Sequence, residues 1–571
     1  MFNFKEAPVG TAEISTHPPP NVLEIDKRSS PLFQALSPDL QEHVIAHDHL
    51  WNYLAGLPLD KVGLPRLVPR LHKGMKGPGN NNIIYPISGG VFIHLSSNEH
   101  DSRDNYIAVE PASSILKSGL MEAVDRKLID HVDELKEVAT SEDREERVEV
   151  LLSILEKVCR TDQNGRRRDT IQVTEEELKE LKYLMIRDKE GLGVIEPLVS
   201  DPYIEDVSCS GVGPIFVEHK IFGGLTAGIE FETMEELDHF VIKLSEKIGR
   251  PVTVRDPIVD ATLPDGSRIN IVFGDDVSKK GSNFTIRKFS ATPMSILDLV
   301  GGGTLSFEMA AYMSLVLGSG MNTFVSGETA SGKTTMLNAI STFIPPNSKI
   351  VSIEDTPELQ VPHPNWIREV VRNSSNTASS VTMFDLLRAA LRQRPNEIII
   401  GEIRGEEGAI AFQAMQTGHS CMATFHASSV ERLIQRITGN PINVPKTYID
   451  NLNIVIIMSA VRLPDGSTGR RILNINEIIE YDSESDSFGF IEVFRWDPAT
   501  DNFEFPGYMN TNILENVVAV RRGIPPRESR SIYELLQQRA DVLRNLYETG
   551  KTNFYELHNV LSQAYREGLF R

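Results

Sequence analysis

Gly327, Gly332, Lys333 and Thr334 stand in the spacing G-x-x-x-x-G-K-T within the stretch GETASGKTTML. Glycines in this pattern let backbone N–H groups close around a phosphate chain. The lysine reaches the β- and γ-phosphates, and the threonine hydroxyl ligates Mg2+ at the positive end of a helix. Gly327, Glu328, Thr329, Ala330, Ser331, Gly332, Lys333, Thr334 and Thr335 are therefore candidate nucleotide-binding residues, with Thr334 the candidate metal ligand. Kinases, switches, helicases and protein-moving machines all use such a loop, so its neighbours must narrow the reading.

Two strand-like runs end in acids: KIVSIEDT in Glu354 and Asp355, and EIIIGEIRG in Glu402. A carboxylate at a strand end beside a phosphate loop polarises an attacking water or organises a Mg2+ shell. Taken singly, each would equally serve as a helix cap or a surface ion pair. Gly401 stands where the common hydrophobic-then-Asp-Glu form has its aspartate, which argues against metal ligation from that position. In TGHSCMATFHA, His419 and His426 flank a predicted strand. A histidine near a terminal phosphate can donate a hydrogen bond that disappears on hydrolysis; a structural role is the alternative.

The elements that must position these residues follow from periodicity. From 307 to 571 strands and helices alternate: NTFVSG, a helix from Lys333 stopped by Pro345-Pro346, KIVSIED, a helix near 381–392, EIIIGEI, another helix, CMATFHA and NIVIIMSAV. Alternation of this kind predicts an α/β domain with a mostly parallel sheet and covering helices, followed here by a C-terminal extension. Residues 191–290 read as a compact α+β domain, with strands in IEDVS, IFVEH, RINIVF and NFTIRKF and a helix opening at Thr233 with Glu236 as its capping partner. Between these domains, 291–306 contains Gly301, Gly302 and Gly303 and reads as a hinge. Residues 111–190 read as a helical unit: Val148, Leu151, Leu152, Leu155 and Val158 share one face, and Thr174 with Glu177 opens a second helix. Residues 1–110, with Pro18-Pro19-Pro20 and GPGNNN, read as a loosely built N-terminal region. Arg166-Arg167-Arg168 reads as a solvated loop.

The chain has 571 residues, 40% hydrophobic and 24% charged, which suits several globular domains and excludes disorder. Its apolar runs are too short to span a bilayer, and its N-terminus lacks the pattern of a secretory signal. Cys159, Cys209 and Cys421 are isolated, which points to a reduced, cytoplasmic location without a zinc ribbon. A formal net charge of −21 argues against broad nucleic-acid binding.

The motifs IEPLVSDPYIEDVSCSG, LPDGSR, FTIRKF, GETASGKTT, SIEDTPEL, PHPNW, EIIIGEIRGEE, FQAMQTGH and TFHA, in this order, resemble the secretion ATPase superfamily that powers type II secretion, type IV pili and related machines. The resemblance is closest to the archaeal branch, the archaellum motor ATPase and its pilus-assembly relatives. It spans about 180 to 480 and implies a RecA-like ATPase domain preceded by an α+β, PAS-like domain. SIEDTPEL corresponds to the family's aspartate box, EIIIGE to a glutamate-only Walker B that explains Gly401, and TGHSCMATFHA to its histidine box.

By that resemblance Glu354 is the general base or water-positioning acid, Glu402 supports Mg2+ and water, and His426 reads the γ-phosphate. Arg268 and Arg287 are implied to present guanidinium groups to ATP across the hinge, the alternative being strand-edge residues paired locally. Arg388, Arg392, Arg394 and Arg404 crowd EIIIGEI as candidate fingers or as partners of Glu397, Glu402 or Glu406. The resemblance further implies a homohexamer at the cytoplasmic face of the membrane, working on a polytopic platform protein. Accessory cytoplasmic motor proteins and, indirectly, pilin-like subunits complete the expected partners. A nucleotide-gated scaffold and a DNA-translocating conjugation ATPase are the alternatives.

Overall fold

The structure, a computed structural model, describes residues 27–568 apart from 73–74, 76–81, 99–102, 113–118, 140, 142, 162–169, 290–291, 373–379 and 485. The runs Pro18-Pro19-Pro20 and Arg166-Arg167-Arg168, and GPGNNN apart from Asn82, lie outside the described residues. Two compact units divide the chain, Met1–Phe289 and Ser290–Arg571.

In the first unit ten strands among the described residues form one sheet. Their order is Arg66–Leu67, Ile83–Pro86, Phe92–Ser96, Asn105–Val109, Gly223–Phe231, Gly213–His219, Ile204–Cys209, Asn283–Arg287, Arg268–Val272 and Ile258–Thr262. The strands of the expected α+β domain are there, but 83–109 is not loosely built. It extends the same sheet through a parallel junction that pairs Asn105 with Thr226 and Tyr106 with Ala227. Prolines and asparagines hide these short strands in composition, whereas burial, complete along Phe92–Ser96 and nearly so along Ile83–Pro86, makes them core.

A buried carboxylate ties the two parts of this sheet together. Asp201 is fully buried and accepts from Tyr85 Oη at 2.6 Å, Tyr106 Oη at 2.9 Å and Tyr203 N at 2.8 Å. Burial raises its pKa, and these three donors oppose the rise. Helices Leu120–Leu128, Arg144–Val158 and Glu175–Met185 pack through Val124, Leu151, Ile154, Leu155 and Leu181; the periodicity picks out Leu151 and Leu155 but not Ile154, while Val148 and Leu152 are only half-buried. Thr174 and Glu177 form the expected capping box. Thr233 caps its helix through Glu236 N, but the Glu236 carboxylate accepts from Glu232 N, one residue before the cap.

The second unit carries helices α1 (Ile296–Gly301) and α2 (Phe307–Gly318), strand β1 (Thr323–Gly327) and helix α3 (Lys333–Ser341). Next come β2 (Ile350–Glu354), β3 (Trp366–Val370), α4 (Met383–Arg392), β4 (Glu397–Ile400), α5 (Glu407–Gln416), β5 (Ser420–Phe425) and α6 (Val430–Thr438). The unit closes with β6 (Ile454–Arg462), β7 (Thr468–Asp482), β8 (Ser487–Asp497), β9 (Asn502–Glu504), α7 (Ile532–Glu548) and α8 (Phe554–Arg566). Sheet order is β3-β2-β4-β5-β1-β6-β7-β8-β9. Strands β1 to β6 pair in parallel, and β7 to β9 extend the sheet antiparallel. This is the RecA-like α/β core, with the strand of the phosphate loop at its centre.

Alternate residues of each buried strand feed opposite layers. Val325, Ile399 and Ile456 join the core with α1, α2, α3, α7 and α8, while Phe324, Ile398 and Ile457 join the core with α4, α5 and α6. Cys159, Cys209 and Cys421 are all buried, and burial raises each thiol pKa.

The glycine run differs from the hinge expectation. Gly301 ends α1, Gly302 caps it, and Gly303 has φ 71. A Cβ on Gly301 would lie 2.7 Å from Tyr547 Oη, and one on Gly303 3.0 Å from Arg471 Nη2. These glycines are therefore a helix stop packed inside the second unit, whose boundary falls earlier, after Phe289. Close packing selects glycine as strongly as flexibility does.

Replacing Tyr106 by Phe removes one donor from a buried carboxylate. We expect a loss of about 1–3 kcal/mol, read by chemical denaturation of the full chain; an unchanged midpoint would show that Asp201 does not hold the sheet together.

Candidate functional site

β1 is buried along its length and delivers the phosphate loop to the edge of the core. A Cβ on Gly327 would collide with Met458 O and lie 2.7 Å from Ser331 Oγ, so glycine alone fits there. Gly332, at φ 93, is the N-cap of α3 and has no side chain to cap the first-turn amides. That leaves the positive end of the helix dipole facing the loop. Ala330 adopts φ 62, which costs about 1–2 kcal/mol for a residue with a Cβ. Two side chains grip the loop: Ser331 Oγ donates to Glu328 O at 2.8 Å, and Arg470 Nε donates to Ala330 O at 3.1 Å. Glu328, Thr329 and Ala330 are exposed, and Thr334 and Thr335 are half-buried.

Lys333 is 8% exposed, and its ammonium donates to Gly327 O at 3.1 Å and Glu328 O at 2.8 Å. Burial lowers its pKa; Glu402 opposes that shift and Arg404 adds to it. A buried ammonium whose close partners are uncharged lacks a full counter-charge, and the loop amides around it are what a phosphate would contact.

Lys333 Nζ lies 3.5 Å from His426 Nδ1, and His426 Nε2 lies 3.1 Å from Glu402 Oε1. Arg404 closes the line with a two-point bond to Glu402, at 2.7 and 2.8 Å, and stands 3.8 Å from Asp355 Oδ2. Burial, then Lys333, lowers the His426 pKa, which favours a neutral ring at neutral pH. A neutral ring with its proton on Nε2 donates to Glu402 and accepts from Lys333. Burial pushes the Glu402 carboxyl up, but Arg404, His426 and Lys333 together hold it below its usual value, so it is ionised. Register helps: Ser326 Oγ donates to Phe425 O at 3.2 Å and Ala427 O at 2.8 Å, tying the strand of the loop to the end of β5. Arg436 donates to His426 O.

Glu354 ends β2 and is 1% exposed. Its Oε1 accepts from Glu358 N and Leu359 N at 2.7 Å each, whereas Oε2 has no hydrogen bond and lies 3.5 Å from Arg368 Nε. Burial pushes its pKa up to about 7 against the two amides and Arg368. Gly401 has a steric reason as well. A Cβ there would lie 3.2 Å from Glu354 Cγ, so Glu354 fills the space that an aspartate at 401 would need.

The remaining sequence candidates lie elsewhere. His419 precedes β5, at the opposite end from His426, beside Thr417 Oγ1 at 3.1 Å. Arg268 and Arg287 belong to the N-terminal unit, where they stand opposite each other on adjacent strands. Arg268 is 3.5 Å from Asp260 in an exposed pair, and Arg287 faces Asp206 across the next pairing. Arg388 packs over the Phe384 ring at 5.7 Å. Of the acids offered as arginine partners, Glu402 pairs with Arg404, while burial raises the Glu397 carboxyl well above its usual range and favours its neutral form. Nothing in the local patterns of Arg368, Arg436 and Arg470 marks them; only the fold brings Arg470 to the loop, Arg368 to Glu354 and Arg436 to the backbone of His426.

Among the described residues no group of three or more His, Cys, Asp or Glu side chains is arranged to hold a metal ion. Mg2+ in nucleotide sites keeps several waters and is bound through substrate phosphates and few protein oxygens. The half-buried Thr334 hydroxyl at the helix start is the protein oxygen offered here.

A model of the family described as Type II/IV secretion system protein matches residues 188–465. An uncharacterized protein of Methanocaldococcus jannaschii is 41% identical over 543 residues, covering 93% of this chain and 97% of that protein. The type IV secretion system protein PtlH of Bordetella pertussis is 32% identical over 229 residues, covering 36% of this chain and 68% of PtlH. Among solved structures, the VirB11 ATPase of the Brucella suis type IV secretion system is 25% identical, covering 49% of this chain and 92% of its own, with a TM-score of 0.26.

Gly401→Asp restores the common acidic pair in sequence but displaces Glu354. We expect hydrolysis of ATP to slow by roughly tenfold or more while nucleotide affinity changes little. Faster turnover in a steady-state phosphate assay would refute the steric account.

Proposed function

The chain belongs to the type II/IV secretion ATPase superfamily, and from that premise we propose that it hydrolyses ATP to assemble or rotate a type IV pilus-like filament, an archaellum or archaeal pilus. The working form is a homohexamer at the cytoplasmic face of the membrane, acting through a polytopic platform protein with accessory cytoplasmic motor proteins. Contact with pilin-like subunits is indirect. No helix among the described residues is long and apolar enough to cross a membrane. The net charge of −21 disfavours a DNA cargo.

The observation that carries this reading is the convergence of Lys333, His426 and ionised Glu402 beside the phosphate loop, with Glu354 at the end of β2, the strand that pairs with the one leading to Glu402. Amides of 328–332 and of the start of α3 receive the phosphates, and Lys333 exchanges its carbonyl partners for phosphate oxygens. Thr334 would hold Mg2+, which supplies charge neutralisation to the phosphates when bound. Glu354 accepts the proton of the attacking water at Oε2, since Oε1 is held by two amides. Glu402 orients that water, and His426 passes the state of the terminal phosphate to Glu402 and Lys333. Arg268 and Arg287 stabilise the charge that develops on the transferred group, from the same subunit or a neighbour. Coupling to movement requires ATP to favour one arrangement of the protein over another by several kcal/mol.

Single-turnover hydrolysis by the purified chain, with Lys333→Ala as control, tests the enzyme reading. Wild type should release phosphate in the presence of Mg2+ and the variant should not; release no greater than the control would leave only a nucleotide-gated scaffold. The base assignment has a pH signature. Glu354 accepts a proton only when ionised, so with its pKa near 7 the rate should climb as pH rises through about 7 and fall below it. Glu354→Gln should abolish turnover with nucleotide binding retained. A flat profile between pH 6 and 8 would assign the base elsewhere.

A further inference from the structure

β6 and β7 form a hairpin in which Arg462 pairs with Thr468. Two adjacent arginines follow on β7, and strand alternation sends them to opposite faces. Arg471 is buried, clamps Asp501 through two bonds of 2.7 Å, and donates from its third nitrogen to Gly302 O at 3.2 Å. Arg470 is exposed and turns to the phosphate loop, where Nε donates to Ala330 O at 3.1 Å. Its Cδ lies 3.3 Å from where a Cβ on Gly332 would stand.

Ala330, at φ 62, is the non-glycine residue of the loop held in the left-handed region. Its carbonyl and the N–H of Ser331 belong to one planar peptide group, so a donor fixed on the oxygen also fixes the direction of the N–H. That N–H makes only a long contact, 3.4 Å, to Glu328 O, at the weak end of hydrogen bonding. It therefore has little to lose in turning to a phosphate oxygen.

We propose that Arg470 is a positioning residue of the nucleotide site, holding the 330–331 peptide in its phosphate-binding orientation while Arg471, locked on Asp501, braces the strand that carries it. This rests on the nucleotide reading given above. It assigns to the β6–β7 hairpin, beyond the recognised loop motif, a share in nucleotide affinity. Arg470 acts on the loop and contacts no reacting atom, so its effect falls on binding.

Mg-ADP binding by calorimetry and ATP steady-state kinetics, both on the full chain, test the proposal. Arg470→Ala should raise the dissociation constant and KM about tenfold, equivalent to about 1.4 kcal/mol, with kcat within about twofold of wild type. Its unfolding midpoint without nucleotide should match wild type, because the side chain is exposed, while the upward shift produced by Mg-ADP should shrink. Arg470→Lys keeps the charge but loses the planar fork and should recover only part of the affinity. Full recovery by lysine would assign the effect to charge alone and overturn positioning, as would unchanged binding in Arg470→Ala or a fall in kcat at constant KM. Wild-type protein that binds no Mg-ADP would overturn the nucleotide reading and this proposal with it.

Discussion

Lys333 places a positive charge where water is scarce. Its partners are backbone carbonyls, a neutral imidazole and, one step further, an ionised carboxylate, none of which neutralises it at close range. The surrounding arrangement follows from that constraint. Glycine at 327 brings the loop against Met458 O, an uncapped helix start adds its own partial charge, and the end of β5 sets His426 between the ammonium and Glu402. Such a site is tuned for an anion, and ionised Glu402 steadies the charge through His426.

The two acidic residues at strand ends are tuned in opposite directions by what surrounds them. Glu402 keeps its charge because Arg404 clasps both oxygens, whereas Glu354 is pushed toward neutrality by burial and steadied on one oxygen by two amides. Separated proton affinities of this kind let one site hold a fixed anion beside a group that can take up a proton. Gly401 makes the arrangement possible, because the space beside β4 that an aspartate would fill belongs to Glu354.

How much of this was legible in sequence depended on whether the signal was local. The phosphate loop, the capping box at Thr174 and the alternation of strands and helices could be read because each is encoded within a few neighbouring residues. His419 and His426 are legible in sequence as the two flanks of one strand, whereas the contacts of His426 with Lys333 and Glu402 come only from the fold. The triple glycine was misread as a hinge because a tight approach by Tyr547 and Arg471, residues remote in sequence, leaves the same composition as flexibility. Likewise 83–109 looked loose because its buried partners, Asp201 and the strand at Gly223–Phe231, come a hundred residues later. Arg470 and Arg368 were invisible for the same reason: their partners are defined by pairing across a sheet.

The three cysteines carry a practical consequence. With every thiol buried and its ionisation suppressed, the native chain presents little reactive sulfur to solvent. Single cysteines introduced on the surface of each unit would therefore accept spectroscopic labels without first stripping the protein of its own. Distances between such labels, followed as nucleotide is added, would report directly on any conformational change.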